Sequence, residues 1–138
     1  MKLTLLLQIA GLLHLGLAAA GALMPRVVKL REHVAGLPPF IRRLFLVYYA
    51  FIALSLVGFG AITFFCAEPL AAGGPLARAF CLFLTAFWSV RLFAAAFLFD
   101  VRPYLTNAWL RLGYHATNVV FIYLLAVYVL ALWKGGAL

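Results

Sequence analysis

A chain of 138 residues that is 68% hydrophobic and only 10% charged lacks the polar surface that a soluble domain needs. Soluble domains carry about 25% charged residues, so the composition excludes an ordinary soluble enzyme. The formal net charge of +8 does not indicate nucleic-acid binding, because the positive residues are sorted among short segments between long apolar runs.

Four apolar runs predict an all-α membrane protein. They cover residues 3–24, 44–67, 79–99 and 112–133. Each is long enough to cross a bilayer as a helix, which takes about 20 residues. A transmembrane barrel would need alternating strands of about 10 residues, and no such alternation is present. We therefore predict four transmembrane helices packed into one bundle, with residues 1–138 forming a single domain.

The first run, residues 3–24, has some features of a secretory signal peptide. Lys2 precedes it, and small residues at 18–22 resemble a cleavage site. The apolar stretch exceeds the length of about 7–15 residues that is usual for a signal core, so we expect a retained first span. His14 lies about 16 Å of helix rise from the end of this span. It shares a helical face with Gly11, so we expect it to point at a neighbouring helix.

The basic residues predict the topology. Segments 25–43 and 100–111 together contain seven lysines and arginines, whereas the opposite side has only Lys2, Arg78 and Lys134. The positive-inside rule places the richer side in the cytoplasm, which leaves both termini outside. We predict an integral protein of a prokaryotic inner membrane.

The connections between the spans are short. Part of segment 25–43 is expected to form a short amphipathic helix in the headgroup layer, and the connection at 68–77 is expected to be a tight turn.

Small residues and cysteines mark further features of the spans. Small residues let helices approach closely in lipid, so we expect packing faces where they cluster. These clusters are Gly11, Gly16, Ala18, Ala20 and Gly21 in the first span, Ser55, Gly58 and Gly60 in the second, and residues 94–96 in the third. Cys66 and Cys81 flank one turn, so a disulfide between them would suit an oxidising compartment; free thiols are the alternative.

Arg91 is the only charged residue inside an apolar run. It lies about 20 Å of helix rise after Arg78 and about 13 Å before Asp100, hence near mid-membrane. A charge there costs about 3 kcal/mol or more, so a partner is expected. Candidate partners are Asp100 or Glu32 after a bend, a lipid phosphate, an acid group of a cofactor, or another subunit. The alternative is that the side chain snorkels or is capped by backbone carbonyls.

Several polar residues predict a layer in the cytoplasmic half of the bundle. They comprise His14, Tyr48, Tyr49, His115 and Asn118. One interpretation is that they bond to one another and to the backbone. The other is a cofactor site, for which the candidate residues are His14, Arg91, His115, Asn118 and Tyr48. Haem b, a chlorin or a quinone would suit these side chains, although His14 and His115 differ in depth by about 9 Å. No metal site is expected.

No catalytic motif is present: there is no HExxH, P-loop, Gly-x-Ser-x-Gly or dinucleotide fingerprint. We therefore expect a small, non-catalytic accessory or structural subunit of a larger membrane complex, respiratory or photosynthetic. Its partners would be membrane lipids and other membrane-protein subunits. An electron-transfer protein binding haem, chlorin or quinone is one alternative, and a small lipid or metabolite carrier is another. Candidate docking faces are Phe93, Phe97 and Phe99, and the side of span four that carries Tyr123 and Tyr128.

Overall fold

The computed structural model of the protein describes residues 2–27, 29–98 and 106–136, and these residues form helices without any strand. The helices are, in chain order, α1 (Lys2–Val27), α2 (Leu30–Val34), α3 (Pro39–Phe65), α4 (Ala67–Ala72), α5 (Pro75–Phe93), a π-helical turn (Ala94–Leu98) and α6 (Ala108–Gly136).

Four of these helical segments are long and apolar enough to cross a membrane. They are Leu3–Arg26, Pro39–Phe65, Pro75–Leu98 and Ala108–Lys134. The predicted fold class, an all-α membrane protein with four transmembrane helices, is thereby confirmed. The helices extend further than the apolar runs because α3 and α5 each begin at a proline. Proline is preorganised for the first helical position, so α3 takes Arg42 and Arg43 into its first turns.

The connections between the spans contain short helices. Lys29 adopts a left-handed conformation, with φ of 53°, and separates α1 from α2. Helix α2 confirms that segment 25–43 contains a short helix, whereas its depth in the headgroup layer stays a prediction. The expected tight turn at 68–77 is wrong in part, because α4 occupies its first half. The reversal follows at Gly73, whose φ of 80° suits a residue without a side chain.

Helix α1 lies at the centre of the packing. It contacts α3, α4 and α6, and α5 packs along α6. Only 6% of the residues in the most apolar stretch of α3 are buried, against 28% in the corresponding stretches of α1 and α6. Helix α3 is therefore an edge helix that leaves most of its surface uncovered.

One pair of glycines defines the crossing of α1 and α3. A Cβ atom added at Gly11 would lie 2.7 Å from the carbonyl oxygen of Gly60, and one added at Gly60 would lie 2.8 Å from that of Gly11. The backbones therefore touch at this point, as small residues in membrane helices allow. Gly16, Gly21 and Gly58, which the sequence also marked as packing positions, face open space instead.

Candidate functional site

His14 is fully buried at the middle of the bundle. Its Nδ1 atom lies 2.8 Å from the carbonyl oxygen of Ala10, one turn earlier on α1. Its Nε2 atom accepts a hydrogen bond of 3.2 Å from the indole nitrogen of Trp88 on α5. The expectation that His14 points at a neighbouring helix agrees with this placement. The room for the side chain comes from Gly60, because a Cβ atom there would lie 2.8 Å from the Cβ of His14.

The two hydrogen bonds of His14 define its chemical state. A carbonyl oxygen only accepts, so Nδ1 carries the proton; an indole N–H only donates, so Nε2 presents its lone pair. The ring is therefore neutral, with its proton on Nδ1. Both ring nitrogens are occupied by contacts within the protein, and axial ligation of a haem or chlorin through Nε2 would require Trp88 to withdraw.

Aromatic rings enclose His14 on several sides. The ring centroid of Trp88 lies 5.3 Å away, that of Tyr128 6.0 Å and that of Phe59 6.5 Å, all in edge-to-face geometry. Such arrangements place the positive ring edges against negative ring faces. These rings belong to α3, α5 and α6, so the imidazole lies against all three of the other spans.

Tyr128 carries the second buried polar contact. Its hydroxyl lies 2.6 Å from Oγ1 of Thr63, and both side chains are fully buried. This bond ties α6 to α3, which otherwise contact little. The expectation that Tyr128 belongs to an exposed docking face is therefore wrong. Tyr123, named with it, is partly buried and donates a 3.1 Å hydrogen bond to the carbonyl oxygen of Leu6.

Other hydroxyl groups in the spans bond to backbone carbonyls. The hydroxyl of Tyr49 donates to the carbonyl oxygen of Gly21 and so joins α3 to α1. Ser55, Thr85 and Thr117 each donate to the carbonyl oxygen four residues earlier in their own helix. Such bonds satisfy a hydroxyl group in lipid without a partner from another helix.

Arg91 is half-buried, and its guanidinium carbon lies 5.0 Å from the ring centroid of Phe121. Phe121 in turn stacks on Trp88, with ring centroids 5.3 Å apart and planes at 27°. A continuous series of contacts thus links Arg91 through Phe121 and Trp88 to His14. A cation over an aromatic face is stabilised by the ring quadrupole, most strongly where water is absent. Asp100, the nearest acid in sequence, lies outside the described residues.

The remaining predicted cofactor residues lie apart from this series. Tyr48 and His115 are exposed and Asn118 is half-buried. The ring of His115 is 5.6 Å from that of Tyr114. In the described part of the chain, no hydrogen bond or ring contact joins Tyr48, His115 or Asn118 to His14. The structure therefore brings together two of the five candidates, His14 and Arg91, and cofactor binding by any of them stays a prediction.

The cysteines are free in the structure: Cys66 is exposed at the end of α3, and Cys81 is buried in α5. The disulfide that their spacing allows is not formed there. Among the described residues, no cluster of three or more His, Cys, Asp and Glu side chains could hold a metal ion.

Three residues that make the buried contacts of His14, Arg91 and Tyr128 were not singled out from the sequence. They are Thr63, Trp88 and Phe121. A signal for Trp88 was available, because it precedes Arg91 by three residues and therefore lies on the same helical face. Phe121 and Thr63 carry no such signal, since each is one apolar or weakly polar residue among many. Comparison of the chain with protein-family models, curated proteins and solved structures found no match.

Proposed function

We propose that this protein is a small, non-catalytic accessory subunit of a larger membrane complex, and that α3 contacts the neighbouring subunit. The observation that carries the proposal is that α3 leaves most of its surface uncovered, including the side chain of Tyr48. Its side chain is 60% exposed, and it lies six residues after Arg42, about 9 Å of helix rise.

A phenol hydroxyl at the edge of the hydrocarbon layer takes a hydrogen-bond partner from the headgroups, from water or from a protein neighbour. In the described part of the chain, the Tyr48 hydroxyl has none, whereas the neighbouring Tyr49 bonds to Gly21. A protein neighbour packed on α3 would supply such a partner. Large apolar side chains that a partner would cover surround it on α3, namely Phe51, Ile52 and Leu54, each more than half exposed.

The buried polar groups favour a packing role over a reaction. His14 and Tyr128 use their hydrogen-bonding atoms on Trp88, Ala10 and Thr63. A group that bonds only within the fold contributes to specific helix association rather than to binding of substrate. The respiratory or photosynthetic nature of the complex stays a prediction, as do the electron-transfer and carrier alternatives; an absorption spectrum of the gently purified protein would reveal a haem or chlorin.

We further propose that both termini lie outside and that segments 25–43 and 100–111 are cytoplasmic, in a prokaryotic inner membrane. The support is the sorting of seven lysines and arginines to one side and three to the other.

The accessory role can be tested by site-specific photo-crosslinking in native membranes. A photoreactive amino acid would replace Tyr48 or Phe51 on α3, and Val119 or Ile122 on α6 would serve as controls of similar exposure. We expect protein adducts of defined mass from the α3 positions and predominantly lipid adducts from the controls. Tyr48→Phe, which removes only the hydroxyl, should reduce co-migration with larger polypeptides on native gels. Lipid adducts alone at all four positions, with unchanged migration of Tyr48→Phe, would refute the proposal.

A further inference from the structure

A cleft of about 400 Å³ lies where the chain passes from α1 through α2 into α3. Cavities of about 300–1,000 Å³ are the size that small molecules occupy in proteins. The cleft is separate from the His14 series, because its lining comes from the end of α1, from α2 and from the first turns of α3.

The charge of the cleft is positive. Arg31 on α2 and Arg42 on α3 both line it, and none of the lining residues in the described part of the chain is Asp or Glu. The guanidinium group presents a planar fork of donors that matches the oxygens of a phosphate, and it remains charged at any physiological pH. Two arginines that line one cleft favour an anion between them.

The cleft lies at the level where the lipid headgroups are expected. The first candidate span ends at Arg26 and the second begins at Pro39, so the cleft lies at one end of both. The rest of the lining is mainly apolar and includes Val34 and Leu46. Leu46 is also 45% exposed on α3. A ligand with a phosphate at one end and a hydrocarbon chain at the other fits this gradient.

Two of the residues that line the cleft also fix its walls in place. The hydroxyl of Tyr49, which lines the cleft, donates to the carbonyl oxygen of Gly21 and so ties α3 to α1. Val34 is only 8% exposed, which anchors α2 against the rest of the protein. A site built on packed elements loses less entropy on binding than one that has to form around its ligand.

We propose that this cleft binds the headgroup of an anionic phospholipid, with its phosphate between Arg31 and Arg42 and an acyl chain running along Leu46. Basic pockets at the ends of transmembrane helices are suited to such headgroups. The proposal does not depend on the accessory role, because a lipid can occupy the cleft whether or not α3 contacts a partner.

The test measures lipid retention by the purified full chain in dodecyl maltoside micelles. Dioleoylphosphatidylglycerol would be titrated and the bound lipids counted by native mass spectrometry. We expect one tightly held lipid in the wild type and a loss of affinity of about fivefold for each arginine removed, by Arg31→Gln and Arg42→Gln. The matched control is Arg43→Gln, the neighbour of Arg42 in α3, which does not line the cleft. Equal effects of Arg42→Gln and Arg43→Gln would overturn the proposal.

Two further arms distinguish the ligands. Dioleoylphosphatidylcholine should be retained more weakly than dioleoylphosphatidylglycerol, and equal retention would overturn recognition of the net negative charge. Inorganic phosphate at millimolar concentration should not displace the lipid, and displacement would identify a site for free anions instead.

If an arginine variant fails to fold, a photoactivatable phosphatidylglycerol applied to the wild type decides the question. Labelling within residues 30–49 supports the proposal, and labelling confined to residues 66–78 at the other end of the spans overturns it.

Discussion

The glycine pair at the crossing of α1 and α3 offers the sharpest test of the fold. Gly11→Ala would place a methyl group 2.7 Å from the carbonyl oxygen of Gly60 and 2.8 Å from the backbone nitrogen of Phe64. Both are main-chain atoms, so neither can turn aside as a flexible side chain would. The two helices must move apart or shift along each other.

The size of the effect follows from that distance. Ordinary van der Waals contact begins at 3.4 Å, so the methyl group is about 0.7 Å too close. A gap of about 0.5–1 Å forfeits a quarter to a half of the dispersion energy of each contact pair along the interface. Overpacking of this kind typically costs about 1–3 kcal/mol. The higher helix propensity of alanine offsets at most about 1 kcal/mol.

Unfolding of the purified protein by SDS in mixed micelles, followed by circular dichroism, would measure the change. Gly11→Ala and Gly60→Ala should each lower the free energy of unfolding by about 1–3 kcal/mol. The matched controls are Gly16→Ala on α1 and Gly58→Ala on α3, where an added Cβ meets nothing within 4 Å. These controls should be neutral or stabilising by up to about 1 kcal/mol.

The double variant separates a shared clash from two unrelated defects. Once Gly11→Ala has moved the helices apart, Gly60→Ala finds the space already made, so the two costs should sum to more than the cost of the double variant. The close approach of α1 and α3 is refuted if Gly11→Ala is as stable as Gly16→Ala, or if the double variant is strictly additive.

Two further predictions concern the buried hydrogen bond and the topology. Trp88→Phe keeps an aromatic ring but leaves Nε2 of His14 without its donor, so we expect a loss of about 1–2 kcal/mol in the same unfolding assay. Trp133→Phe, at a 75% exposed position, should change stability by less than about 0.5 kcal/mol, and equal effects would exclude a contribution from the Trp88 bond. For topology, single cysteines at Gly36 and Ala137 in a Cys66→Ser, Cys81→Ser background should be labelled by an impermeant reagent from inside and outside respectively. Labelling of position 36 from outside would contradict the predicted orientation.

The number and approximate position of the spans could be predicted because hydropathy is a property of each segment alone. A run of apolar residues about 20 long has few alternatives to a membrane helix. The ends of the helices were harder to predict from the sequence. Helix α3 begins five residues before its apolar run, since Pro39 starts the helix and Arg42 remains compatible with the headgroup level. Hydropathy registers such arginines as the end of a span, although their long side chains can reach the interface.

The orientation of each helix about its own axis could not be predicted in the same way. A span that lipid surrounds is apolar on every face, so the sequence pattern does not distinguish the packed side from the exposed side. Gly11 and Gly16 look equivalent in the sequence, yet only Gly11 meets a neighbouring backbone. Tyr128 was expected at the surface for the same reason, and its burial depends on Thr63, a residue that is 65 positions away in the chain.

The distribution of contacts explains why the proposed lipid and protein neighbours can coexist on α3. This helix is held near its carboxyl end, by the glycine crossing at Gly60 and by the hydroxyl contact of Thr63 with Tyr128. Its amino-terminal half is tied to α1 by Tyr49 and otherwise leaves large side chains uncovered. Arg42 lies one full turn and more before Tyr48, so a phosphate at the helix start does not occupy the surface proposed for a protein partner. Binding at either place therefore leaves the buried series from His14 to Arg91 unchanged, which predicts that lipid retention and partner association respond to different substitutions.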